Sequence, residues 1–136
     1  MANMLASRTL CLSIDAPPSR VYGFVSDPGN LPRWATAFCR SVSRSNGDWI
    51  VETPQGPVKI RFAEKNEYGV LDHYVSPAPG VEIFVPMRVV ANGSGSEVLF
   101  TLFHSPGMSE EAFAEDAGMV ERDLKGLKSL LERREG

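Results

Sequence analysis

The dipeptide Asn46-Gly47, flanked by alternating apolar positions, constrains this chain most. An Asn-Gly pair at the centre of a tight turn specifies both a hairpin and its register. Within Ser45–Asp48 it pairs Val42 with Val51 and Arg44 with Trp49. The next loop, Pro54–Pro57, then sets Val51 opposite Ile60 and Trp49 opposite Phe62, with Glu52 against Lys59 as a charge pair on the other face. A turn at Glu67-Tyr68 pairs Phe62 with His73 and Ile60 with Val75. Asn92–Gly95 closes a last hairpin that pairs Met87 with Phe100, Val85 with Leu102 and Ile83 with His104. Only Pro77–Gly80 allows several geometries. In this register Val42, Trp49, Val51, Ile60, Phe62, His73, Val75, Val85, Met87 and Phe100 share one face, and Arg61, Asp72, Glu82, Arg88 and Glu97 share the other. A slip of one residue in any hairpin would exchange that strand's faces, so the agreement supports the whole arrangement.

Ser109 to about Arg134 is the only long helical pattern. Phe113, Ala117, Val120, Leu124, Leu127 and Leu131 recur at steps of four and three as one apolar stripe. Ser109 suits the N-cap, and Glu110 and Glu111 suit the positive end of the helix dipole. The stripe is graded: Ala114, Ala117 and Gly118 come early, Leu124, Leu127, Leu130 and Leu131 late. One helix laid across a curved sheet cannot fill its concavity, and the small residues place the unfilled part under the helix's first half.

Ahead of the hairpins, Thr9–Ile14 alternates as a half-buried strand. Asp15 and the Pro17-Pro18 pair then open a short helix with Val21, Tyr22, Phe24 and Val25 on its apolar face. Asp27–Asn30 ends it, and Leu31–Trp34 forms a second short turn of helix. The expected fold is α+β. A seven-stranded curved antiparallel sheet wraps around the long C-terminal helix, with two short helices between strands one and two, in a single domain over residues 1–136.

Segments Ser13–Asp27 and Asn30–Trp34, followed by the strand run and the long helix, resemble the START-like (SRPBCC) superfamily and its polyketide cyclase/dehydrase-like branch. That superfamily has the helix-grip fold and also includes the birch-pollen allergen family. The resemblance implies a cavity for a hydrophobic ligand between sheet and helix. It implies no shared catalytic set, because the opening motif is structural.

Composition excludes several classes. A net charge of −3 without a basic cluster argues against nucleic acid. No apolar run is long enough to cross a bilayer, so an integral membrane protein is not expected. The N-terminus lacks a basic start followed by an apolar stretch, and Cys11 and Cys39 are isolated, so a cytoplasmic protein with free thiols is expected. Two histidines, roughly 10 Å apart at ~4.8 Å per strand, and no carboxylate cluster leave no metal site and no cofactor.

Residues expected to line the pocket are Trp34, Phe38, Trp49, Phe62, His73, Ile83, Phe100, His104, Phe113, Ala117 and Val120. Trp34, Phe38 and Tyr22 are placed near its rim. His73 is the best catalytic candidate, because an imidazole on the concave face can accept a proton or bond a ligand. It can equally be a hydrogen-bonded core residue. Three functions follow: a binding protein for a small lipid, isoprenoid or polyketide-like molecule, a polyketide cyclase/dehydratase using His73, or a protein-interaction module. The third rests on an outer aromatic patch in which Phe84 opposes Phe103 beside Leu99, a surface for a homodimer.

Overall fold

The computed structural model describes residues 4–133. Strand β1 (Ser7–Ile14) leads into α1 (Pro18–Val25), a single 3-10 turn (Pro28–Asn30) and α2 (Leu31–Trp34). Seven strands follow: β2 (Ser41–Ser45), β3 (Asp48–Thr53), β4 (Gly56–Phe62), β5 (His73–Ala78), β6 (Val81–Val85), β7 (Met87–Asn92) and β8 (Gly95–Phe103). Helix α3 (Glu110–Glu132) completes the order, and the expected extension to Arg134 lies outside the described residues. Ser109 caps α3 as its sequence suggests, its hydroxyl accepting from the Ala112 N–H at 3.0 Å. No helix among the described residues is long and apolar enough to cross a membrane.

The strands number eight, one more than expected, because Pro86 interrupts what the sequence reads as a single strand. Proline has no N–H to give a ladder. The ladders divide into β1-β8-β7 and β2-β3-β4-β5-β6. The seam between them is closed by the chain ahead of β5. There Leu71 N–H donates to Met87 O at 2.8 Å and Val89 N–H to Gly69 O at 3.0 Å. Residue pairs on both sides of Pro86, Val70–Arg88 and His73–Val85, share one register. The result is one curved antiparallel layer with a kink at Pro86. Gly69 is required at the seam: its φ is +72°, and a Cβ there would lie 2.1 Å from Val89 O.

The expected registers hold at three hairpins. Val42 pairs with Val51, Phe62 with His73, and Met87 with Phe100. Two expectations fail. At the Pro54-Gln55 turn, Thr53 pairs directly with Gly56, so Trp49 faces Ile60 and Val51 faces Val58. Thr53 Oγ1 holds this tighter turn, donating to Gly56 O at 2.7 Å and accepting from Gln55 N at 3.1 Å. The offset of two residues preserves the faces but separates Glu52 from Lys59, which pairs with Asp48 at 3.4 Å. Second, the β7–β8 ladder stops where Thr101 N–H reaches Pro86 O. Val85 and Ile83 therefore ladder with His73 and Val75, not with Leu102 and His104.

The same kink divides the outer patch. Phe84 opposes Tyr74, with ring centroids 5.1 Å apart, while Phe103 pairs with Ser7, so the expected direct Phe84–Phe103 pairing is not formed. The outer arginines are ion-paired, Arg61 with Glu82 and Arg88 with Asp72, each at 3.0 Å. The core joins Ile14, Val21 and Val25 to Leu71, Met87, Val89 and Val98 of the sheet and to Leu124, Leu127 and Leu131 of α3.

Candidate functional site

The concave face is built from cross-strand rows. Trp49, Ile60, Val75 and Ile83 form one row across β3 to β6, and Phe62, His73 and Val85 form the next. His73 is 6% exposed and lies between two rings. Phe62 stacks on it at 4.8 Å, and Phe100 meets it edge-on at 5.7 Å. Its Nδ1 lies 2.9 Å from Leu71 O, a carbonyl that can only accept, so Nδ1 carries the proton and Nε2 presents a lone pair. Burial pushes the imidazolium down to about 4, outweighing the Leu71 bond and the Asp72 charge, and the ring is neutral at pH 7. Nε2 has no protein partner among the described residues. The one fully enclosed side-chain nitrogen or oxygen lacking a partner among them is Trp34 Nε1.

Burial along α3 differs between its two halves. In the first three turns Ala117 alone is buried, whereas Asp123, Leu124, Leu127 and Leu131 are all buried further on. The second half rests on β1 and α2. Across from the first half, Phe38, Trp49, Phe62, Val75 and Phe100 remain half-buried, as does Val120 on the helix. All of them pack against the edge of the buried core.

Two carboxylates on the inward side of α3 escaped the sequence reading, because a search for apolar periodicity passes over polar members of a stripe. Asp123, 5% exposed, accepts from Ala37 N at 2.8 Å and Phe38 N at 3.1 Å, tying the segment after α2 to the helix. Burial still leaves its carboxyl above the usual range. Asp116 shares the face of Phe113 and Val120 by helical spacing. Burial first, and the Glu115 charge second, raise its carboxyl. Among the described residues it has no hydrogen-bond partner, whereas Asp123 has two.

The expected site residues are not all brought together. Phe38, Trp49, Phe62, Phe100 and Val120 are half-buried against the core, and His73 and Ala117 are buried. Trp34 is 5% exposed in the core beside α3, not at a rim. Tyr22 also leaves the rim, its hydroxyl accepting from Asn66 N at 2.9 Å and fixing α1 to the β4–β5 loop. Ile83 lies on the concave side but is 37% exposed. His104 belongs to a separate aromatic pair: its ring stacks on Phe113 at 4.7 Å, and Nε2 lies 2.6 Å from Met108 O. It does not share His73's neighbours, because β8 continues beyond Phe100 only against β1. Among the described residues no group of His, Cys, Asp or Glu could hold a metal ion.

Residues 8–132 match the family model described as polyketide cyclase/dehydrase and lipid transport. No curated protein matches the sequence. Among solved structures, the chain is similar to the protein XoxI from Bacillus cereus at 21% identity and TM-score 0.76, covering 93% of this chain and 96% of that one. It is similar to Ara h 8.0201 at 15% identity and TM-score 0.71, covering 94% and 98%. DynU16, a protein of the dynemicin biosynthetic locus, aligns at 18% identity and TM-score 0.71, with 93% of this chain spanning 47% of that one. At these identities the likeness establishes the curved-sheet, long-helix fold.

Proposed function

From the premise that this chain belongs to the polyketide cyclase/dehydrase and lipid transport family, we propose that it binds a small, mostly apolar organic molecule in its concavity. The molecule lies between the concave sheet face and the first half of α3. One observation carries the reading. Phe38, Trp49, Phe62 and Phe100, together with Val120 on the first half of α3, stay half-buried, and Nε2 of His73, whose ring lies between Phe62 and Phe100, has no partner among the described residues. Burying such surface contributes about 25 cal/mol per Å2, so a lipid, isoprenoid or polyketide-like body is attracted without charge. A neutral His73 supplies an acceptor for one hydroxyl of that body. Native mass spectrometry of protein purified from several hosts tests the proposal. A bound organic mass, displaced by a hydrophobic dye, is expected; a protein that is empty in every preparation and excludes the dye would overturn it.

A cyclase or dehydratase is the second reading, favoured by Asp116. A half-buried carboxyl with raised affinity for its proton, on the same wall as Phe113 and Val120, can deliver or take a proton beside an oriented chain. His73, with its proton affinity lowered to about 4, is a weak base and better suited to orienting a hydroxyl. Asp116→Asn and His73→Ala variants that keep their fold should both lose turnover of a genuine substrate. Full turnover by both ends this reading and leaves the binding proposal standing.

A further inference from the structure

A pocket of about 450 Å3 lies where α1, α2 and the C-terminal end of α3 meet. Arg20, Arg33 and Arg133 line it, and no carboxylate among the described residues does. The five ion pairs among the described residues use Lys59, Arg61, Arg88, Lys125 and Lys128, so none of these three arginines pairs with a described carboxylate. Two described acids close to these elements in sequence, Glu132 and Asp27, are engaged in other bonds. Glu132 accepts from Asp15 N and Lys128, and the Asp27 side chain accepts from Gly29 N. Three guanidinium groups around one hollow, with no described carboxylate among them, make a local field that attracts anions on a chain of net charge −3. Arg33 is also stiffened, its guanidinium lying 5.1 Å from the centroid of the Phe24 ring. Guanidinium forks match phosphate oxygens in pairs, and several together favour a dianion over a carboxylate. Phe24, Leu130 and Leu131 add apolar wall to the same pocket.

We propose that this pocket binds a phosphate group, either free or as the head of a small organic phosphoester. It is distinct from the concavity: from Ala117 to Leu130 is about 20 Å along α3 at ~1.5 Å per residue. Gly23 offers a way to close it. Gly23 lines the pocket on α1, and a Cβ built there meets nothing within 4 Å, so a larger side chain enters open space without displacing backbone.

The test follows amide shifts of the full-length protein by NMR at constant ionic strength, titrating inorganic phosphate and, separately, hexyl phosphate. Saturable shifts at residues 20–33 and 130–133 are expected. Arg20→Gln, Arg33→Gln and Arg133→Gln should each weaken binding about tenfold, the effect of losing one charge-assisted contact. Gly23→Leu, which retains the helix, should abolish it. Tighter binding of hexyl phosphate identifies a phosphoester site, and equal binding identifies a free-phosphate site. Absence of saturable shifts for both probes at millimolar concentration would overturn the proposal. So would equal shifts with chloride, or undiminished affinity in the triple arginine variant.

Discussion

His73→Asn isolates the titration of the imidazole between Phe62 and Phe100. Asparagine can offer its amide N–H to Leu71 O, the bond the ring makes from Nδ1 at 2.9 Å, so the exchange removes ionisation more than structure. In the folded protein burial holds the ring's pKa down to about 4 from 6.5. The unfolded chain titrates at the ordinary value. As pH falls from 6.5 to 4 the unfolded chain takes up a proton that the native protein refuses, so stability is full above 6.5 and is lost through that window. Each pH unit is worth ~1.4 kcal/mol, and the loss between pH 7 and pH 4.5 comes to about 2–3 kcal/mol. That is a large share of the ~5–15 kcal/mol typical of a domain. Urea unfolding at both pH values measures it. The wild type should lose about 2–3 kcal/mol more than His73→Asn on acidification, since Asp116 and Asp123 remain in both proteins and cancel in the difference. Parallel pH curves for the two proteins would refute the buried, neutral ring and, with it, His73 as an acceptor for ligand.

Gly69→Ala should cost about 2–4 kcal/mol in urea unfolding, from left-handed strain of ~1–2 kcal/mol and a broken seam where Val89 O lies 2.1 Å from the new Cβ. Gly23→Ala, in an open helical position, should be neutral or stabilising by up to ~1 kcal/mol. Asp123→Ala leaves the N–H groups of Ala37 and Phe38 without their acceptor and should lower stability by about 2–4 kcal/mol, seen as a lower Tm. Of the two thiols, exposed Cys11 should react with a disulfide reagent at pH 8 in the native protein. Buried Cys39, pushed up to about 11 by burial and by Asp123, should react only after unfolding. Two native thiols reacting at similar rates would contradict that placement.

Much of this architecture is legible along the chain, because strand and helix periodicities are local and a two-residue Asn-Gly turn sets pairing without distant help. The Asn46-Gly47 hairpin, the alternation that places Phe62, His73 and Phe100 on one face, and the cap and graded stripe of α3 are all of this kind. Even the offset at Pro54-Gln55 leaves the faces intact, since side chains alternate with a period of two. Other features depend on which remote groups meet. The kink at Pro86 separates β6 from β8, dividing the outer patch and sending His104 to Phe113. Asp123 sits within the apolar stripe, and its role shows only once the segment after α2 supplies two N–H donors. Arg20, Arg33 and Arg133 are unremarkable in sequence and become one charged pocket only when three helices converge. Periodicity assigns a side chain to a face; tertiary packing decides what stands opposite it, and that opposition sets the burial, charge compensation and proton affinity on which any site depends.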